Sequence, residues 1–110
     1  MRIVNLTPHA LTFVAGDEIV ASIPSSGQAR CAQSRQQIGT VDLAGHAIPV
    51  NRTQFGAVSG LPEPEPGTIY VVSVVVASAL AGSRDDVYVT DDAVRDADGR
   101  VIGCRALARL

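Results

Sequence analysis

The chain has 110 residues, 46% of them hydrophobic, and a formal charge of −2. This composition fits one globular domain spanning 1–110 and excludes global disorder. An acidic chain with two Phe, two Tyr and no Trp offers neither the basic face nor the stacking platform of a nucleic-acid polymer binder.

In chain order, the first half reads as short strands. Ile3–Leu6 is extended, and Thr7-Pro8-His9 breaks it, because proline fixes its own φ and pushes Thr7 out of the helical region. Ala10–Val14 alternates Leu11 and Phe13 against Thr12, Ala15-Gly16-Asp17-Glu18 turns, and Ile19–Ile23 returns as a hairpin. After the turn at Pro24-Ser25-Ser26-Gly27, the stretch around Ala29, Cys31 and Ala32 reads as a strand with one wet face. Ile38–Leu43 and Ala47–Arg52 form a second hairpin through Ala44-Gly45-His46, with Pro49 placed at an edge or bulge. Phe55–Gly60 is a further short extended piece.

Leu61-Pro62-Glu63-Pro64-Glu65-Pro66-Gly67 is a stiff crossover that admits neither helix nor inner strand. Thr68–Val76 is β-forming on both faces and is expected as the central strand. The pattern then turns alanine-rich through Ala81, and Gly82 caps a short helix. Val87–Val89 is a strand, and Val94–Leu107 contains a hairpin turn at Asp98-Gly99. The expected fold class is therefore α+β, mainly β, with antiparallel sheets or hairpins and one short helix. A core of Val, Ile, Leu and Ala with so few aromatics offers few large anchors, which points to a homo-oligomer.

No segment is long and apolar enough for a transmembrane helix. The longest apolar run, Ile69 to Gly82, carries Tyr70, Ser73 and Ser78 and reads as buried core, so no membrane partner is expected. The N-terminus lacks a secretory pattern, so Cys31 and Cys104 are expected as buried free thiols of a cytoplasmic protein. No metal site is expected, since histidines and cysteines lack ligand spacing. Asp96-Ala97-Asp98-Gly99 fails the calcium-loop pattern at Arg100 and Leu107. Nor is there a nucleophile elbow, a Walker loop or a dinucleotide fingerprint. Adjacent carboxylates at Asp85-Asp86 and Asp91-Asp92 read as solvated loop charge, or as partners that orient arginines. Ser73 lies where a strand meets a helix, and Cys104 with His9 or His46 has the residue types of a thiol enzyme, but a packed turn and a buried cysteine explain both.

All nine basic residues are arginine. A guanidinium is a planar fork that grips phosphate or carboxylate at two points, whereas lysine is a flexible point charge. A GC-rich genome also favours arginine over lysine. Arg52 and Arg105 fall late in expected strands, beside small or polar neighbours, and are the leading anion ligands; Arg30 and Arg84 are weaker candidates. Arg2, Arg35 and Arg109 read as surface.

Three stretches together resemble a family of small phage and prophage proteins. They are Val4-Asn5-Leu6-Thr7-Pro8-His9, Phe55-Gly56 with Gly60-Leu61-Pro62, and Val94-Arg95-Asp96 with Gly99-Arg100-Val101-Ile102-Gly103-Cys104-Arg105. The pattern is also similar to the Thoeris anti-defence sponge proteins. That resemblance implies a non-catalytic, oligomeric protein (a dimer or a trimer of dimers) in the cytoplasm of an infected or lysogenic host. It implies sequestration of a cyclic ADP-ribose isomer made by a TIR enzyme, and for some members of cyclic oligonucleotides, with no cofactor. It matches Arg52 and Arg105 to phosphate-contacting arginines, while Phe55 would help to line the ring cavity. No residue of Val76–Ala79 matches the family's stacking aromatic. Two other readings stay open: an enzyme that cleaves a nucleotide signal with His9 or Ser73, and a phage structural or interaction protein with no small ligand.

Overall fold

A computed structural model describes residues 1–110. The elements in order are β1 (Arg2–Asn5), β2 (Leu11–Ala15), β3 (Glu18–Ile23), β4 (Arg30–Leu43), β5 (His46–Ser59), β6 (Thr68–Val71), α1 (Val74–Ala79), β7 (Val87–Arg95) and β8 (Val101–Ala108). The fold is mainly β with one short helix, as the sequence indicates. Antiparallel hairpins join β2 to β3, β4 to β5 and β7 to β8.

The body is one six-stranded sheet in the order β1-β6-β7-β8-β2-β3. Its pairings β1 with β6, β6 with β7, and β2 with β8 are parallel, so the sheet is mixed rather than purely antiparallel. These pairings join segments far apart in sequence, and no local turn signal announces them. β6, α1 and β7 make a βαβ unit, the standard means of joining two parallel strands.

The helix begins earlier than the valine run suggests. Val74 and Val75 belong to α1 instead of extending the central strand. β-branched residues disfavour a helix by only about 0.5 kcal/mol each, and two features outweigh that. The Ser73 hydroxyl accepts from Val76 N at 3.3 Å as an N-cap, and the helix buries Val76 and Ala77 on the sheet. At the far end Ser83 N donates to Leu80 O at 2.7 Å, and Gly82 takes a positive φ of 77°. The core forms where α1 covers the sheet: Val4, Leu6, Tyr70, Val72, Val76, Val87 and Val89 pack with Ala29 and Ala77.

β1 and β3 are opposite ends of the strand order, yet only a short link joins β1 to β2. The sheet must curl, and Asn5 fastens the curl. Its side chain is completely buried. Nδ2 donates to His9 O at 2.7 Å and to Ile23 O at 3.0 Å, at the end of β3. Oδ1 accepts from Thr7 N at 3.0 Å and lies 2.6 Å from the Thr7 hydroxyl. Both donors and both lone pairs of the amide are therefore placed. Around it Ser26 N donates to Asn5 O at 2.8 Å and Ala29 N to Leu6 O at 3.1 Å, so the start of the β4 segment is tied to the same point.

β4 and β5 leave the body as a two-stranded arm of 14 residues per strand. The four short pieces expected around residues 29–59 are one continuous hairpin. Its turn is Ala44-Gly45 alone, with φ of 52° and 81°, as a two-residue hairpin turn of the I′ kind requires. Pro49 lies within β5 opposite Thr40, and the ladder slips one register step between Gln37 and Gly39 and another between Cys31 and Gln33. The arm stretches the molecule to 53 Å, with a radius of gyration of 17.4 Å, against roughly 13 Å for a compact chain of this size.

Arg84 and Asp86 hold the proline-rich crossover in place. Arg84 Nε and Nη2 donate to the two Asp86 carboxylate oxygens at 2.9 Å each, and Nη2 donates to Pro62 O at 3.0 Å. The guanidinium lies 5.9 Å from the centroid of the Tyr70 ring, whose hydroxyl donates to Glu63 O at 3.2 Å. The fork edge that would grip a phosphate is taken by Asp86. Asp86 thus orients Arg84, one of the two roles read for the Asp85-Asp86 pair.

Two expectations follow. Asn5→Ala should cost about 3 kcal/mol in urea unfolding, because a fully buried amide that satisfies the His9 and Ile23 carbonyls and both Thr7 donors is lost; a loss below 1 kcal/mol, at the level of an ordinary surface change, would contradict the role of the amide. The second concerns pH. The Arg84 hydrogen bond holds the Asp86 carboxyl below its usual value. Its stabilisation is thus complete above the unfolded-state pKa and is lost as pH falls through the lowered folded value. Asp86→Asn should lower stability at neutral pH and flatten its decline on acidification, as followed by thermal unfolding over a pH series. A variant with unchanged acid sensitivity would exclude this pair as a source of that decline.

Candidate functional site

The largest cavity is a groove of about 450 Å³ where β6 ends and the curled sheet opens. The Thr7-Pro8-His9 link and β2 form one wall, with Thr7, His9, Leu11 and Thr12. The end of β6 and the start of α1 contribute Val72, Ser73 and Val74. The floor and far wall are Val89 and Thr90 of β7 and Val101–Cys104 of β8. The lining is mostly aliphatic, with hydroxyls from Thr7, Thr12, Ser73 and Thr90.

The groove exists because β8 and β2 meet closely at one glycine. A Cβ on Gly103 would lie 2.9 Å from Thr12 O and 3.1 Å from Val14 Cγ2. Next to it, Cys104 faces inward and is buried. Burial pushes its thiol above the ordinary value. A protonated, buried thiol is a poor nucleophile. Both cysteines are free, as expected, with Cys31 half-buried at the base of the arm. Ser73 and His9 share the groove, but the serine hydroxyl serves as helix cap, and no hydrogen bond couples it to the imidazole. The His9 carbonyl is fixed by Asn5, which orients the link without activating a base.

Two smaller cavities share lining residues with the groove. A notch of about 420 Å³ lies between the base of the arm and α1, lined by Gln28, Arg30, Cys31, Gln33, Ser73 and Val75 among others. It shares Ser73 with the groove, and Arg30 is its one charged residue. Arg30 is held by Gln28, whose Oε1 accepts from Nη2 at 3.3 Å. A cleft of about 240 Å³ shares Thr90, Val101, Gly103 and Cys104 with the groove and carries Asp91 and Asp92. Asp92 takes a positive φ of 54°, a conformation aspartate tolerates better than most residues. Beside the groove, therefore, lie one notch that carries Arg30 and one cleft that carries Asp91 and Asp92.

The expected ligands are dispersed relative to this cavity. Arg52 lies on the arm opposite Gln36 and is exposed. Arg105 follows the inward-facing Cys104, so strand alternation turns it to the other face of β8, where it is exposed. Phe55, on the arm opposite Gln33, is 47% exposed. None of the three lines a cavity, and of the four arginines named from sequence only Arg30 does. The Asp96 loop is a hairpin turn, with Asp96 Oδ1 accepting from Asp98 N at 2.9 Å and Arg100 N at 3.0 Å. No three-residue cluster of metal-ligating side chains occurs, and no helix is long and apolar enough to cross a membrane.

Of the groove's residues the sequence singles out His9, Ser73 and Cys104, but not its threonines. Thr7, Thr12 and Thr90 sit on three separate strands or links, and nothing local brings them together. Only the alternation around Cys104 marks an inward position. No family model, curated protein or solved structure matches the chain.

Gly103→Ala should destabilise the protein by about 2 kcal/mol, since overpacking must separate β8 from β2. Gly39→Ala, where the added methyl meets nothing, should be close to neutral. Equal melting temperatures for the two variants would contradict the close approach at the groove.

Proposed function

We propose that the chain binds a small nucleotide-type anion and holds it without converting it, and that the ligand belongs to the cyclic nucleotide immune signals, with a cyclic ADP-ribose isomer as the leading member. The groove, with the Arg30 notch and the Asp91–Asp92 cleft beside it, carries this reading. Its aliphatic lining suits the faces of a base and ribose, and its size lies in the usual range for small-molecule sites. Phosphates would be drawn to the Arg30 notch, where a guanidinium supplies charge-assisted donors, and repelled by Asp91 and Asp92. Those two carboxylates would accept from hydroxyl or amine donors elsewhere on the ligand. Arg52 and Arg105 would join the site only across a contact between copies, consistent with an oligomeric sponge. In this reading the protein acts in the cytoplasm of the infected host by depleting a signal that a defence effector needs.

Holding requires complementarity to the ground state, whereas turnover requires groups that act on the transition state. A capped Ser73 and a buried, protonated Cys104 favour holding. His9 and Ser73 nevertheless share the groove, so signal cleavage is the reading that the test must separate.

The test mixes protein with the TIR-derived cyclic signal, measures depletion from solution, then heat-denatures the complex and analyses the released nucleotide. Intact nucleotide is expected. Arg30→Ala should weaken capture by about tenfold or more, the loss of one charge-assisted contact, with an unchanged circular dichroism spectrum. Altered product would establish an enzyme instead. No depletion, or full capture by Arg30→Ala, would overturn the assignment.

A further inference from the structure

The fold uses His9 only through its backbone. Asn5 Nδ2 donates to the His9 carbonyl at 2.7 Å, and the Thr7 hydroxyl lies 3.0 Å from the same oxygen. Neither ring nitrogen of His9 donates or accepts within the chain, and the one ion pair of the structure is Arg84 with Asp86. The side chain is exposed and belongs to the groove wall. It is therefore not spent on structure.

Within the groove this imidazole has no counterpart. The lining is otherwise aliphatic or hydroxyl-bearing, apart from the Cys104 thiol, and contains no arginine, aspartate or glutamate. His9 is thus the only side chain of the groove itself that can carry a positive charge. Its placement also favours binding. Pro8 precedes it with a fixed φ, and its carbonyl is held, so little beyond the two side-chain torsions has to be ordered on contact with a ligand.

We propose, on the reading of the groove as a holding site for an anion, that the His9 imidazolium is a phosphate ligand alongside Arg30 and makes capture depend on pH. A protonated ring presents two N–H donors and a full charge, whereas a neutral ring presents one donor and no charge. Affinity is therefore greatest while the imidazole is protonated and declines as pH rises through its titration. The charged and titratable groups around the groove are few. Asp91 and Asp92 lie on β7 in the adjoining cleft, and Arg30 lies in the notch at the base of the arm. Cys104 lies on β8 with its thiol pushed up by burial, while β2 and the junction of β6 with α1 bring no titratable side chain to the groove. Of these residue types only imidazole ordinarily changes charge between about pH 5 and about pH 8. The sign separates a holding contact from a catalytic base, which acts as the neutral ring and gains as pH rises.

The test joins nuclear magnetic resonance of the two histidines to depletion of the TIR-derived cyclic signal over a pH series. At about pH 6, inorganic sulfate should shift the imidazole signals of His9 far more than those of His46, which lies at the tip of the arm opposite Leu43. Capture by the wild type should weaken about tenfold between about pH 5 and about pH 8. His9→Gln, which keeps the carbonyl that Asn5 holds, should fold and show the weaker affinity at every pH, and His46→Gln should keep the wild-type profile. Capture independent of pH, a His9→Gln profile that matches the wild type, or equal sulfate shifts at the two histidines would overturn the proposal. Absence of capture at every pH would instead remove the cyclic-nucleotide reading, and the sulfate contrast would then decide the role of His9 alone.

Discussion

The body of this protein depends on one buried amide. Asn5 joins β1, the link that follows it and the end of β3, and so brings together the two edges of a sheet whose strand order would otherwise hold them apart. Burying an amide is favourable only when its hydrogen bonds are replaced. Here both donors and both lone pairs find partners, three of the four contacts being to Thr7 and His9. The Asn-Leu-Thr-Pro-His run is thus a local circuit. Asparagine supplies the amide, threonine supplies two donors, proline turns the chain, and the His9 carbonyl closes the loop. Leu6 between them points into the core.

That circuit also sets the position of the groove. The link fixed by Asn5 is one wall, and the β8–β2 approach at Gly103 is another. The site is therefore held by backbone and core geometry instead of by a flexible lid. Charges lie in the two adjoining cavities, Arg30 beside the arm and Asp91 with Asp92 at the β7 side.

Hairpins were legible in the sequence because their signals are local: Gly16 between β2 and β3, Gly45 at the arm tip and Asp98-Gly99 between β7 and β8 all mark real turns. The parallel pairings were not legible, since each joins segments whose contact is decided by the whole sheet. The arm divides into separate pieces in sequence because Pro49 and the polar stretches between the apolar runs interrupt the alternation that marks a strand. Register shifts absorb part of that irregularity within one continuous ribbon. The start of α1 was obscured by valines that favour strand in isolation and accept helix once Ser73 caps it. Among the arginines the same division holds. Residue type identified the forks, but only the fold shows that Arg84 is spent on Asp86, that Arg105 faces away from Cys104, and that Arg30 borders a cavity.

The most direct test of the Asn5 circuit is nuclear magnetic resonance of its side-chain amide. Two slowly exchanging protons, with couplings across hydrogen bonds to the His9 and Ile23 carbonyl carbons, are the predicted result. Rapid exchange with solvent and no such couplings would contradict the closed, buried amide on which the curl of the sheet and the walls of the groove rest.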